Sequence, residues 1–115
     1  MREIKFRCWI KEEKIMVTPE QLINLDGNMA NDDGKDVLMQ FTGLHDKNGK
    51  DIYEGDIMQA EVENPCSWLV VWNYNGFYLE RYYDDGKKDE GYFGIITDWK
   101  VIGNIYDNPE LLTNK

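Results

Sequence analysis

Residues 67–83 read SWLVVWNYNGFYLERYY. The first part is β-branched and aromatic, a composition that suits a pleated, half-buried strand. Asn75-Gly76 follows, the dipeptide that supplies the left-handed backbone of a two-residue hairpin turn. Residues 77–83 (FYLERYY) then return as the partner strand. On the outgoing strand Trp68, Val70, Trp72 and Tyr74 share a face, with Leu69, Val71 and Asn73 on the other. On the return, Phe77, Leu79 and Arg81 oppose Tyr78, Glu80 and Tyr82. One face of such a hairpin is core, and a small barrel fills itself with large side chains. Trp72, Tyr74, Tyr78, Tyr82 and Tyr83 form the candidate binding patch, because Tyr and Trp are favoured at the centres of protein interfaces.

Strand signals continue on both sides of this hairpin. Residues 37–41 (VLMQF), Ile57 to Val62, 92–97 (YFGIIT) and 99–106 (WKVIGNIY) all read as strands. Residues 84–91 (DDGKKDEG) read as a charged loop. Asp46-Lys47-Asn48-Gly49 has Asp first and Gly fourth, as type I turns prefer. At the N-terminus Ile4, Phe6, Cys8 and Ile10 alternate with polar neighbours and Trp9, the period of a half-buried strand. Residues 14–17 (KIMV) return to make a hairpin over 1–17. Thr18 and Pro19 are good N-cap and first-turn residues, so 18–25 (TPEQLINL) predicts a helix of about two turns. Residues 26–36 (DGNMANDDGKD) are a surface loop of turn formers. Asn108 and Pro109 predict a last short helix by the same capping logic.

Composition narrows the function. The chain has 115 residues and a net charge of −9, and most of the deficit lies in residues 51–115, with 5 basic and 13 acidic side chains. A general phosphate-binding surface is disfavoured, since nucleic-acid affinity comes largely from Lys and Arg displacing counterions. No apolar run approaches the roughly 20 residues of a membrane helix, and the charged opening MREIKFRCWIKEEK is unlike a signal peptide. The expected compartment is a cytoplasm, with Cys8 and Cys66 as reduced thiols. The single histidine, His45, and single serine, Ser67, sit in no motif for nucleophilic catalysis. Two separated Cys and one His fall short of a zinc site. No calcium-loop or phosphate-loop pattern fits around Gly34, Gly49 or Gly86. The expectation is no enzyme activity, no metal and no cofactor.

Three blocks of the sequence resemble the YopX family, small proteins encoded by bacteriophages and prophages: MREIKFRCWIKEEKIM (1–16), LMQFTGLHDKNGKDIYEGDI (38–57) and VIGNIYDNPELL (101–112). The central block is the most specific, through Gln40, Thr42, Gly43, Asp46, Gly49, Tyr53, Glu54, Gly55 and Asp56. The resemblance implies a β-rich fold with an SH3-like barrel and a bacterial cytoplasm, and it carries over no activity. The combined expectation is a single YopX-like domain over 1–115: a small, partly open SH3-like barrel over 37–106, an N-terminal β-hairpin at 1–17 that packs on or pairs with it, and one or two short helices. Its N-terminal strands are expected to add to a neighbouring subunit. The favoured function is a phage accessory protein that binds an unknown protein partner. Two alternatives are an acidic DNA mimic, and nucleic-acid binding through the barrel aided by the basic cluster Arg2, Lys5, Arg7, Lys11 and Lys14.

Overall fold

The computed structural model describes residues 4–23, 36–60, 66–73, 76–83, 85–92 and 98–112. Among these are nine strands: β1 (Phe6–Ile10), β2 (Ile15–Val17), β3 (Val37–His45), β4 (Asp51–Tyr53), β5 (Asp56–Ala60), β6 (Ser67–Asn73), β7 (Gly76–Tyr82), β8 (Lys88–Tyr92) and β9 (Trp99–Asn104). Helix α1 spans Pro19–Ile23, and a 3-10 turn closes the described chain at Pro109–Leu112. The strands form two antiparallel sheets, ordered β2-β1-β3-β4 and β8-β7-β6-β5-β9. One sheet curls into a half-barrel and the other stands beside it, which bears out the expected mainly β, partly open barrel. The N-terminal hairpin pairs directly with β3, with Cys8 opposite Leu38 and Phe6 opposite Gln40. Its outer strand β2 is the edge of that sheet.

The chain changes sheets inside Glu54-Gly55-Asp56. Glu54 N–H donates back to the Gln40 carbonyl of β3 at 3.0 Å, while Gly55 N–H donates across to Val70 of β6 at 2.8 Å. Ile105 N–H donates to the Gly55 carbonyl at 2.8 Å, so the end of β9 is tied to the same point. This crossover needs Gly55: its φ is 88°, and a Cβ there would lie 2.8 Å from the Met39 sulfur. The main core packs Ile52 of β4 against the five-stranded sheet, where Met58, Val70 and Leu79 are buried and Trp68, Phe77, Trp99 and Val101 pack against them.

Local signals and structure agree at two turns. Thr18 and Gln21 form a reciprocal capping box: Gln21 N–H donates to Thr18 Oγ1 at 3.3 Å, and Thr18 N–H to Gln21 Oε1 at 2.9 Å. Of the helix expected at 18–25, Pro19–Ile23 is helical with Thr18 as its cap, and residues 24–25 lie outside the described residues. The Asp46–Gly49 turn closes with Gly49 N–H on the Asp46 carbonyl at 2.9 Å, and Asn48 and Lys50 N–H donate to Asp46 Oδ1 at 2.8 and 2.9 Å. Asp46 also reaches across the molecule, because Val101 N–H of β9 donates to its Oδ2 at 3.0 Å.

Other expectations are corrected. Residues 88–91, read as part of a charged loop, belong to β8, the strand pairing with β7. Asp, Lys and Gly have low strand propensity, but an edge strand answers to a different rule, since charge there blocks further pairing. Lys88 Nζ meets Glu80 at 2.8 Å across the ladder, and Gly91 leaves room for the Trp68 ring. Of the strand expected at 92–97, Tyr92 is the last residue of β8 and 93–97 lie outside the described residues. The return strand of the central hairpin already begins at Gly76, which pairs with Asn73 at φ 123°; Tyr74 and Asn75 lie outside the described residues, as do 26–35 of the expected surface loop and 61–62 of the strand expected at 57–62. Strand β3 runs four residues beyond the expected 37–41, to His45.

The two glycine turns should respond differently to a methyl group. A Cβ at Gly49 meets nothing within 4 Å, so Gly49→Ala carries only the left-handed backbone strain of about 1–2 kcal/mol. Gly55→Ala carries the same strain plus an overpacking term of about 1–3 kcal/mol against Met39. Urea unfolding of both variants checks this, and equal losses would contradict it.

Candidate functional site

Arg7, from β1, is turned between the sheets. Its Nη2 lies 2.8 Å from Asp56 Oδ1 and 3.3 Å from the Glu54 carbonyl, to which it donates, and its guanidinium stacks 4.7 Å over the Tyr53 ring. Asp56 is 1% exposed, and its other oxygen accepts from Tyr53 N–H at 2.8 Å. Burial pushes the Asp56 carboxyl up, and the Arg7 charge and the Tyr53 N–H pull it only part of the way back. Lys5 is likewise engaged, with Nζ against Asp51 at 2.5 Å and over the Phe41 ring. Two members of the N-terminal basic cluster are therefore paired within the fold, and Arg2 lies outside the described residues.

Next to this junction the sheets leave a cleft of about 250 Å³. Val37 and Met39 of β3 form one wall, Leu69 to Trp72 of β6 the other, and Glu54, Gly55, Ile105 and Tyr106 complete it. Tyr106 stacks on Trp9 with ring centres 5.4 Å apart and planes at 19°, which braces the end of β9 against the first sheet. Burial, and then the Glu54 charge, raise the Tyr106 phenol above its ordinary value. At the cleft Trp72 is 51% exposed, and its ring meets Phe77 edge-on at 4.7 Å.

The structure divides the candidate aromatic patch. Trp72 pairs with Phe77, on the face that carries the core residues Val70 and Leu79. Tyr78 and Tyr82 flank Glu80 on the opposite face and donate to its carboxylate, at 3.4 Å from Tyr78 and 2.5 Å from Tyr82. Tyr83 donates to Asp89 at 2.6 Å beneath the Arg81 guanidinium. Tyr74 lies outside the described residues. Trp72 is the one member of the set that stands as an exposed apolar surface among the described residues. Alternation alone placed Trp72 with Trp68 and Val70, but it could not tell that the strand runs out of core at residue 72.

Elsewhere several titratable groups are engaged by the fold. His45 has a 56% exposed side chain, with Nε2 3.0 Å from Asp51 and its ring edge-on to Phe41. Cys8 is buried with its thiol pushed up by desolvation, and Cys66 is a second free cysteine. No helix among the described residues is long and apolar enough to cross a membrane. Burial raises Asp46 and Glu80, but their donors outweigh it: backbone N–H groups of Val101, Lys50 and Asn48 for Asp46, and Lys88, Tyr82 and Tyr78 for Glu80. Both carboxyls are held below their ordinary values. Burial and the bond to Glu80 push the Tyr82 phenol up to about 12.

These shifts fix a pH dependence. A carboxyl whose folded value is lowered stabilises the fold above its unfolded value and loses that contribution as pH falls through the folded one. Acidification below about pH 4.5 therefore weakens the fold through Asp46 and Glu80, while the raised Asp56 acts in the opposite sense. Glu80→Gln should cost about 1 kcal/mol at neutral pH, because the Lys88 ammonium is half exposed, and should lose less on acidification than the wild type. Thermal unfolding at pH 7 and pH 3 checks this, and parallel losses would contradict it.

Residues 20–113 match the family described as YopX protein. The opening block at 1–16 lies outside that match. The chain is also similar to a crystal structure of protein EF1440 from Enterococcus faecalis, at 25% identity and a TM-score of 0.70, over 97% of this chain and 99% of that one. A comparison with curated proteins finds none that matches. The Glu54-Gly55-Asp56 junction falls within the matched residues, and with most of the sequence matched the chain belongs to the YopX family.

Proposed function

We propose that this protein is a non-enzymatic accessory protein that works by binding another protein, encoded by a bacteriophage or prophage and acting in the bacterial cytoplasm. The observation that carries the reading is Trp72, a tryptophan 51% exposed beside an apolar cleft between two sheets. Large aromatic side chains at a concave apolar site are the usual anchors of protein contacts. Membership of the YopX family supports an accessory role. The buried acids support a binding scaffold rather than a reaction centre, since Asp46, Asp56 and Glu80 are each held by donors of the fold itself.

The acidic balance gives the DNA-mimic reading less support, because those same three carboxylates are buried and not available to a surface row. Direct nucleic-acid binding has less support still, with Arg7 paired to Asp56 and Lys5 to Asp51. Addition of β2 to a neighbouring subunit remains part of the proposal, since β2 is an edge strand with Ile15 exposed.

Affinity recovery from bacterial host cells with wild type and Trp72→Ala tests the reading. Trp72 is exposed, so the variant should keep its thermal midpoint to within a few degrees. The expected result is a protein partner retained by the wild type and lost by the variant. Equal recovery by both folded proteins would contradict it.

A further inference from the structure

The chemistry of the cleft says more about its occupant, and this step rests on the proposed role of Trp72. The walls are apolar, and the charged side chain that lines the cleft is Glu54. One Glu54 carboxylate oxygen accepts from Gln40 N–H at 2.9 Å. The other oxygen has no hydrogen-bond or ion-pair partner among the described residues. Arg7, the nearby cation, donates to the Glu54 carbonyl and meets the Asp56 carboxylate instead. A half-buried carboxylate against an apolar wall favours a cation that supplies the missing contact. The net charge of −9 also favours encounter with cationic segments in general.

We infer that the cleft takes a short segment of a partner protein in which an apolar anchor neighbours a lysine or arginine, the anchor resting on Trp72 and the cation on Glu54. Alternating apolar and cationic groups along an extended peptide match the two kinds of wall. The Trp72–Phe77 pair holds one indole edge for the anchor, and Tyr106 lies beside the carboxylate.

Fluorescence polarisation with the full-length chain tests this. The probes are three labelled peptide pools with a randomised centre of Leu, Ile, Phe and Met, flanked by Lys, by Gln or by Glu. The Lys-flanked pool should bind at least about threefold tighter than the Gln-flanked pool, the scale of a partly exposed ion pair. Glu54→Gln keeps the acceptor for Gln40 N–H and should remove that preference. Trp72→Ala should weaken all three pools.

Equal binding of the Lys and Gln pools, or a Lys preference unchanged in Glu54→Gln, overturns the charge pairing and leaves the Trp72 docking site standing. Binding by none of the pools overturns the inference, and a Trp72-dependent protein partner would still uphold the broader reading. A dimer in light scattering that Trp72→Ala abolishes also overturns it, because the occupant is then a second copy of this chain.

Discussion

The Arg7–Asp56 ion pair holds the two sheets in one arrangement. Arg7 comes from the second residue of β1 and Asp56 from the first residue of β5, and the two strands belong to different sheets. Their side chains meet at 2.8 Å in a buried setting. A buried charge is costly unless it is paired and hydrogen-bonded, so each residue constrains the other. Arg7 also grips the Glu54 carbonyl and the Tyr53 ring, and Asp56 grips the Tyr53 amide, so the three-residue crossover at 54–56 is held from both sides. Arg7 Nε has no hydrogen-bond partner, and Asp56 stays raised by burial, so the pair adds little net stability. Its effect is to select one arrangement over others.

The cleft is a by-product of that arrangement. With the sheets joined at Gly55, the end of β9 is brought back by the bond from Ile105 to Gly55, and Tyr106 settles on Trp9. The space left between β3 and β6 keeps apolar walls because both strands offer core-type residues there. Trp72 sits where β6 has passed the end of the main core, which leaves half of a large ring in solvent. The functional reading and the fold thus share one geometric cause.

Much of this was legible in the sequence where the signal was local. The Thr18 cap, the Asp46–Gly49 turn, the alternation of β1 and the aromatic hairpin all depend on residues within a few positions of each other. The relations that build the site span the chain: Arg7 to Asp56, Trp9 to Tyr106, Asp46 to Val101. No periodicity encodes those pairings. Arg7 fell on the polar side of an alternating strand and was grouped with the N-terminal basic cluster, although its side chain reaches the second sheet. Strand β8 was missed for a related reason, since its charged residues are stabilised by Glu80 and Tyr83 across the ladder rather than by their own propensity.

A double-mutant cycle on Arg7 and Asp56 is the most direct test. Arg7→Met, Asp56→Asn and the double variant are compared by urea unfolding. The single changes should each cost about 3–5 kcal/mol, because each strands a buried partner. The double variant should cost less than their sum by at least about 2 kcal/mol. Losses that add to within about 0.5 kcal/mol would contradict the claim that this pair joins the sheets.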